Sequence, residues 1–524
     1  MLRLNEAGIS DKIPSWFWKM DIYYLNLSHN CMEGQLPSFL GSHTYAYLDL
    51  SSNCFSGPIP NLKASYMILS NNSFSGPIPL SFFESLVVLS LSHNHLNGSI
   101  PQFRFNQTYW KVLDLSNNEL SGGFPDSWIC NWTSLEVVDL SNNDLSGRLP
   151  DCWNKPHPGI LDIPKNKKVE DTSSMVAYPI KLQSLHMRNN RLSGKFPSFL
   201  RLCKKLVVLD LGENRFSGSI PTWIGESLSS LRVLRLRSNF FNGNIPMQIS
   251  SLSSLQVLDL ACNNFSGNLP SSFGHFSIMA EIQERSQPML SGMITTSFYH
   301  ESLLIITKGL ELEYTSVLLL VTRVDLSHNN LSGEVPDEIT YLHGLHFLNL
   351  SENHFIGKIP ENICDMRQLE SLDLSMNDLS GPIPQTMLAL NYLSNLNLSY
   401  NNLSGRIPSG KQFLTFNDPS TYIGNHYLCG QPLPECPTNA STHQEEEEEE
   451  VDRDDCEMIW IYGSSALGFV IGFWGFVGMM LVKKDIRIAY LQFLDKICDY
   501  IYIESAKKFA KLNFVMRKSS HKHG

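Results

Sequence analysis

The chain has 524 residues, of which 42% are hydrophobic, and a formal net charge of −11. This length and apolar content allow a large buried core. The negative charge argues against a nucleic-acid partner, because phosphates attract basic surfaces. No HExxH, CxxC or carboxylate–histidine cluster indicates a metal centre, a cofactor or a catalytic site. We therefore expect a protein that is not an enzyme and holds no metal or cofactor.

One sequence pattern recurs about every 24 residues, and such a fixed period is typical of a solenoid. It reads LDLSSNCFSGPIP from Leu48 and SLDLSMNDLSGPIP from Ser371. Two weaker copies, LRLNEAGIS with Ala7 in place of asparagine and LDIPKN ending at Asn166, bring the count to sixteen. The asparagine that closes LxLxxN in the other copies stands at Asn30, Asn53, Asn72, Asn94, Asn118, Asn143, Asn190, Asn214, Asn239, Asn263, Asn329, Asn353, Asn377 and Asn401.

The residue types of the repeat predict its structure. The leucines of LxLxxN alternate along a short strand and point inward, so the residues between them face the concave surface. The asparagine amide can satisfy backbone groups that turn inward after the strand. We predict an α/β-type solenoid, a leucine-rich-repeat superhelix with short parallel strands on a concave face roughly 75 Å long. Such a surface suits protein, peptide or glycan ligands.

Changes in composition divide the chain into seven predicted parts. One of these parts is a predicted transmembrane helix. The parts are about twelve repeats in 1–270 with the first incomplete, an island insertion in 271–320, four repeats in 321–408, a C-terminal cap in 409–440, an acidic juxtamembrane segment in 441–457, the transmembrane helix in 458–482 and a short basic tail in 483–524.

The insertion interrupts an otherwise regular array. From Asn263 to Asn329 is 66 residues, about 42 more than one period. A loop of this size in a rigid solenoid is either functional or disordered. An apolar run at Leu303 to Thr307, followed by Lys308 and Gly309, predicts a strand, and the aromatic and β-branched content of the segment favours order.

The predicted membrane helix contains no charged residue over 25 positions, which span about 37 Å as a helix. Glu445 to Glu450 precede it, and the tail after it carries ten Lys and Arg against four Asp and Glu. The positive excess places the tail in the cytoplasm and the repeats outside the cell. Gly468, Gly472 and Gly475 lie on one side of the helix and predict a helix-packing face.

Eleven N-x-S/T sequons fit an exported domain, although the repeat template itself generates several of them. Asn106, Asn131 and Asn439 are less bound to the template, and we predict that they carry glycans.

Two pairs of cysteines suggest disulfides. Cys429 and Cys436, directly after the last repeat, predict a disulfide that closes the core. Cys31 and Cys54 occupy equivalent places in neighbouring repeats, where they are either bridged or, as we favour, two free thiols.

Departures from the template on the concave face are candidates for binding. His186 and Arg188, then Arg235 and Arg237 two repeats later, place basic residues there, with Asp210 between them. They form either a solvated, partly self-paired ridge or a ligand contact patch.

This order of parts resembles plant leucine-rich-repeat receptor-like proteins over essentially the whole chain. The insertion matches the family pattern of a tyrosine, eight residues and Lys-Gly at Tyr299, Lys308 and Gly309. The resemblance implies a plasma-membrane receptor of type I topology that binds an extracellular peptide, protein or glycan in defence or development. It also implies signalling through an adaptor receptor kinase and a co-receptor kinase. The 42-residue tail agrees, because it is too short for a kinase domain.

The amino-terminal end departs from that family. The chain opens inside a repeat, with no apolar signal segment and no cysteine-paired cap. We therefore expect the carboxy-terminal portion of a longer receptor. The alternative is a truncated receptor fragment that does not signal, or a decoy.

Overall fold

The structure is a computed structural model. Met1–Pro437 forms one unit and Thr438–Gly524 another. The structure describes residues 1–436, with gaps at 39–43, 81, 83–85, 102–109, 124–134, 149–158, 167, 171–180, 282–302, 308–309, 315–320, 411–412 and 414.

Sixteen parallel strands form one continuous sheet, in chain order from end to end. Equivalent residues lie opposite each other; for example, Leu25 pairs with Leu48. The sixteen repeats counted in the sequence are thus sixteen rungs of a solenoid, which we number by their strands. The strands are β1 Leu2–Arg3, β2 Tyr24–Asn26, β3 Thr44–Asp49, β4 Lys63–Ile68, β5 Val88–Ser90, β6 Val112–Asp114, β7 Val137–Asp139, β8 Ile160–Asp162, β9 Ser184–His186, β10 Val208–Asp210, β11 Val233–Arg235, β12 Val257–Asp259, β13 Arg323–Asp325, β14 Phe347–Asn349, β15 Ser371–Asp373 and β16 Asn395–Asn397.

The repeat asparagine joins successive rungs through its side chain. In rung 3, Asn53 Nδ2 donates to the carbonyl oxygens of Leu27, Leu50 and Ser51 at 2.9 to 3.2 Å. Its Oδ1 accepts from the Met32 N–H at 3.0 Å. One buried amide therefore satisfies four backbone groups of two rungs. The residue before each asparagine, or before Ala7 in rung 1, has a positive φ of 51 to 60°, which turns the chain inward once per rung.

Leucines fill the interior, and phenylalanines stack behind the asparagines. The rings of Phe216, Phe241 and Phe265 lie parallel in three successive rungs, with centroids 6.2 and 6.3 Å apart. No single rung buries these side chains, so the core exists only because rungs stack.

Further short strands follow the asparagines. Short helices close the convex side, except that Pro419–Thr421 follows β16 on the concave side. These strands are Glu33–Gly34, Cys54–Pro58, Ser73–Gly76, His95–Ser99, Glu119–Gly123, Asp144–Arg148, Lys168–Glu170, Ser193–Gly194, Arg215–Gly218, Phe240–Gly243, Asn264–Asn268, Asn330–Glu334, His354–Ile356, Ser380–Gly381, Asn402–Arg406 and Tyr427–Cys429. The described helices are Phe17–Lys19, Ser198–Leu202, Ile224–Ser227, Met247–Ser251, Ser271–His275, Ser277–Ala280, Asp337–Tyr341, Glu361–Asp365, Gln385–Ala389 and Pro419–Thr421.

The insertion leaves the stack of rungs continuous. β12 pairs directly with β13, with Val257 opposite Arg323. On the convex side, Gly274 lies so close to rung 13 that an added Cβ would stand 2.2 Å from the Glu338 carbonyl oxygen. Within the insertion, Leu303–Thr307 is a strand, as predicted, and pairs antiparallel with Leu310–Tyr314.

A seventeenth rung, which the sequence analysis missed, begins the C-terminal cap. Asn425 Nδ2 donates to the Leu398 and Tyr422 carbonyl oxygens, and its Oδ1 accepts from the Leu403 N–H. Gly424 supplies the positive φ, and Tyr422 replaces the inward leucine. The disulfide between Cys429 and Cys436 follows and confirms that prediction. Cys31 and Cys54 are free thiols.

Within the described part of the chain, no helix is long and apolar enough to cross a membrane. The predicted helix 458–482 with Gly468, Gly472 and Gly475 lies outside the described residues. So do Tyr299, Lys308, Gly309 and the sequon residues Asn106, Asn131 and Asn439.

Candidate ligand-binding surface on the concave face

The concave face is organised in columns, because parallel pairing places equivalent residues of successive rungs side by side. In the three-residue strands β5 to β16, the first and third residues point out of the core, and the residue two places after the strand forms a third column. We call the column that is formed by the third residues of the strands the central column. It carries most of the charged residues of the strands. From β5 to β16 it holds Ser90, Asp114, Asp139, Asp162, His186, Asp210, Arg235, Asp259, Asp325, Asn349, Asp373 and Asn397.

Aromatic residues cover the first rungs. Tyr24 and Tyr47 stack with parallel rings 4.5 Å apart, and Tyr66 continues the row in β4. The Arg3 guanidinium lies 4.9 Å from the Tyr24 ring centroid. The faces of these rings are largely covered by one another and by Arg3, so this row stabilises the stack rather than presenting an open platform.

The next zone, rungs 5 to 8, combines an apolar row with carboxylates. Val88, Val112, Val137 and Ile160 pack on one another and are buried. Beside them, Asp139 stands between Asp114 and Asp162 in the central column. Burial, and then the charges of those two neighbours, raise the pKa of Asp139 well above its usual range.

The candidate basic residues of the sequence lie in a buried band of ion pairs between rungs 9 and 13. Arg235 contacts Asp210 and Asp259 at 3.3 Å each, and only 1% of its side chain is exposed. Burial lowers the pKa of Arg235, but Asp210 and Asp259 more than offset this and raise it above its ordinary value.

The band continues on both sides of Arg235. Arg188 Nε donates to Glu213 at 2.6 Å. Arg237 contacts Asp325 at 3.0 Å, and Arg323 contacts the same carboxylate at 2.6 Å. Burial raises the pKa of Asp325, but the two arginines hold it below its usual value. Four arginines and four acids therefore balance, which favours the self-paired ridge over a direct ligand patch.

Two departures from the template make room for this band. The position after the leucine is serine in most rungs, but it is Gly212 in rung 10 and Ala261 in rung 12. A Cβ at Gly212 would lie 3.0 Å from Asp210 Oδ1 and 3.7 Å from Arg235 Nε. His186 is also buried, next to Asp210 in the central column. The structure thus brings Arg235 and Arg237 together through shared carboxylates.

The open part of the concave face lies beyond the band, in the four repeats after the insertion. A groove of 640 Å³ extends from the edge of the ion-pair band to the seventeenth rung. Its lining is mostly polar and half-buried, and its apolar side chains are Phe347 and the buried Leu348 and Leu396. The polar residues at its centre and C-terminal end are Asn349, Ser351, Glu352, Ser371, Asp373, Asn395, Asn397, Asp418, Ser420 and Thr421.

The sequence alone did not predict this groove. The sequence does contain a feature that marks the groove, because asparagine replaces aspartate at Asn349 and Asn397 in the central column. These residues keep the template's contacts, since Asn349 Oδ1 accepts from the Ser351 hydroxyl at 2.7 Å. Single repeats therefore look ordinary, and only several rungs together define the groove.

Comparison with known proteins agrees with the fold. The family Leucine Rich Repeat matches ten segments, namely 85–104, 109–132, 134–155, 181–203, 205–227, 254–276, 321–342, 344–366, 368–390 and 392–414. The solved structure of a TDR receptor is 25% identical, with a TM-score of 0.61 over 78% of this chain and 64% of that one. That of PEPR1-AtPEP1 is 26% identical, with a TM-score of 0.59 over 80% and 61%. The fold and these matches define a leucine-rich-repeat protein.

Curated relatives narrow the family. Receptor-like protein EIX2 of Solanum lycopersicum is 40% identical over 99% of this chain and 47% of its own length. Receptor-like protein EIX1 of the same species is 47% identical over 62% of this chain and 32% of its own. The chain is therefore similar to plant leucine-rich-repeat receptor-like proteins over nearly its whole length, and it spans less than half the length of these two relatives.

Proposed function

We propose that the chain is part of a cell-surface receptor whose repeats bind an extracellular ligand and which signals through partner receptor kinases. The observation that carries the proposal is the groove after the insertion. It is the polar, half-buried part of the concave face that follows the ion-pair band, in which arginines and carboxylates are matched within the protein. A surface of this kind presents hydrogen-bonding groups to a partner without first breaking internal ion pairs.

The relatives support the same function. EIX2 and EIX1 are named receptor-like proteins, and the PEPR1-AtPEP1 structure shows a similar solenoid as one part of a complex. The predicted helix 458–482 would anchor the chain in the plasma membrane with the repeats outside and the basic tail inside. Defence and development both fit this arrangement.

The insertion is the proposed second contact. In the sequence, Lys308 and Gly309 stand between Leu303–Thr307 and Leu310–Tyr314, two strands that pair antiparallel. A lysine there could meet a ligand or a co-receptor, with Tyr299 in the same segment. Lys308→Glu should then reduce association with a partner kinase without lowering the amount of protein at the cell surface.

The test uses the full chain, preceded by a secretion signal and carrying a C-terminal tag, in plant cells. Protease applied to intact cells should remove the repeats and spare the tag. Proximity labelling from the tag should enrich kinase-domain proteins over a control that keeps only 438–524 and the same signal. Protected repeats would contradict the receptor function. Exposed repeats without kinase enrichment would instead identify the alternative, a non-signalling fragment or decoy.

A further inference from the structure

The groove contains one half-buried carboxylate without a cationic partner. Asp373, in the central column of β15, accepts hydrogen bonds from the Ser375 N–H at 3.0 Å and the Ser375 hydroxyl at 2.6 Å. Asn397 in the next rung also donates to it. Among the residues that the structure describes, no lysine, arginine or histidine forms an ion pair with Asp373.

The ion-pair band shows that this is unusual for the concave face beyond rung 9. Asp210, Asp259 and Asp325 occupy the same column, and each of them contacts at least one arginine. Asp373 stands two rungs beyond Asp325, at roughly 10 Å for a strand spacing of about 4.8 Å. The arginines of the band are therefore too far away to pair with it. Burial raises the pKa of Asp373, which is the expected consequence of a carboxylate left without a counter-charge.

Neutral hydrogen-bonding groups surround this carboxylate. The side-chain amides of Asn349, Asn395 and Asn397 line the groove on both sides of it. An amide has two N–H donors and a carbonyl acceptor, and the main chain of an extended peptide needs both kinds of group. Asn395 and Asn397 each use one donor within the protein, toward Ser371 and Asp373. Asp418 adds a further negative charge, and hydrogen bonding from Ser420 lowers the pKa of that carboxyl, so it stays ionised.

These features distinguish between classes of ligand. Arg237 and Arg323 also line the groove at its edge, but its lining holds four carboxylates, those of Asp325, Glu352, Asp373 and Asp418, so negative charge is in excess. A groove with excess negative charge repels acidic glycans and attracts cationic segments. Within the described residues, no set of three acidic, histidine or cysteine side chains could hold a metal ion. The groove is also long enough, over four rungs, to contact several residues of a chain.

We propose that this groove binds an extended peptide segment, of a peptide or protein ligand, through a lysine or arginine side chain placed against Asp373. The proposal rests on the receptor function above and adds the chemistry of its ligand. The amides of the neighbouring rungs would bind the peptide main chain, and Phe347 would contact an apolar side chain of the ligand beside the cation.

The structure itself provides a charge-only variant. Asn349 makes the contacts in rung 14 that Asp373 makes in rung 15, with Ser351 N–H and hydroxyl at 3.0 and 2.7 Å. Asparagine therefore fits this column, and Asp373→Asn removes the charge while keeping the serine contacts. Asp114→Asn is the matched control, because Asp114 holds Ser116 in the same way at 3.1 and 2.8 Å but lies outside the groove.

The experiment selects binders from a phage-displayed library of random twelve-residue peptides on the full chain, solubilised in mild detergent and held by a C-terminal tag. We expect lysine or arginine to be enriched at one fixed position among peptides that a Ser371→Trp chain, with its groove obstructed, does not retain. A synthetic peptide of the enriched sequence should bind the Asp373→Asn chain about tenfold more weakly or worse, and the Asp114→Asn chain as tightly as the unmodified one.

Three outcomes would overturn the proposal. They are groove-dependent peptides without an enriched cation, affinity unchanged by Asp373→Asn, and a selection that yields no groove-dependent peptide. None of these outcomes bears on the receptor function, which the proximity-labelling experiment tests by the enrichment of kinases. The two proposals can therefore fail independently.

Discussion

Arg235 and Asp210 contact each other at 3.3 Å in neighbouring rungs, although only 1% and 3% of their side chains are exposed. Removing two charges from water costs several kcal/mol per ion, and mutual attraction offsets this only where geometry and further partners are favourable. Asp259 supplies the further partner on the other side of Arg235. The band is therefore a built element of rungs 9 to 13 and fixes how those rungs stack.

Replacing Arg235 by leucine should destabilise the solenoid by about 3 kcal/mol, because it leaves buried carboxylates without their partner. Denaturant unfolding followed by tryptophan fluorescence would measure this. Arg215→Leu, at an exposed position near the same rungs, is the control and should change stability by less than about 0.5 kcal/mol. The double variant Asp210→Asn with Arg235→Leu should be less destabilised than the two single effects added together. Full additivity would contradict a coupled pair.

Restoring the template serine at Gly212 should weaken the solenoid. The new Cβ would stand 3.0 Å from Asp210 Oδ1, which is tighter than ordinary contact, and would displace the carboxylate from Arg235. We expect a loss of about 1 to 2 kcal/mol in unfolding free energy. Gly123→Ser is the matched control, since the nearest atom to a Cβ there is 3.9 Å away. Equal effects of the two substitutions would show that Gly212 does not serve the ion pairs.

The repeated template made most of the fold predictable. Each rung carries its leucines and its asparagine at fixed spacing, so even LDIPKN with Asn166 could be assigned as a rung, and β8 confirms it. The strand at Leu303–Thr307 and the disulfide of Cys429 were likewise visible in short segments. The seventeenth rung was missed because Tyr422 and Gly424 replace the usual leucine and polar residue, leaving Asn425 as the sole match to the pattern.

The candidate site was less predictable, because it depends on contacts between rungs. Sequence placed Arg188, Arg235 and Arg237 on the concave face correctly, but whether they face a ligand or neighbouring carboxylates depends on side-chain packing across several repeats. The groove is defined by the absence of such packing around Asn349 and Asp373. A single repeat carries neither signal.

The carboxylate of Asp139 should make stability depend on pH. Burial and two acidic neighbours raise its pKa in the folded chain, so the folded state holds the proton more tightly than the unfolded state does. The stabilisation is fully present below the ordinary aspartate pKa of about 4 and is lost as pH rises through the raised value. At pH 7, Asp139→Asn should therefore unfold at a higher temperature than the unmodified chain, and near pH 3 the two chains should unfold at the same temperature.

Thermal unfolding across this pH range measures the difference, with Asp11→Asn as an exposed control. Asparagine can still accept the hydrogen bond from the Ser141 N–H, which Asp139 accepts at 2.9 Å. A variant that is less stable than the unmodified chain at pH 7 would mean that the ionised carboxylate is compensated in the folded protein.

The predicted membrane helix leads to the last test, in which the helix itself contacts a partner. Gly468, Gly472 and Gly475 are spaced four and three residues apart, so they line one side of a helix and let a second helix approach closely. Replacing all three by leucine keeps insertion favourable but separates the backbones, and such small-residue contacts are worth about 1 kcal/mol each.

Proximity of the triple-leucine chain to a partner kinase, measured by energy transfer in intact membranes, should fall several-fold. Gly463→Leu, on another side of the helix, should leave it unchanged. The acidic run Glu445 to Glu450 is screened over about 8 Å at physiological salt, so replacing it by glutamine should matter less than the glycine changes. An undiminished signal in the triple-leucine chain would show that the repeats, and not the helix, recruit the partner.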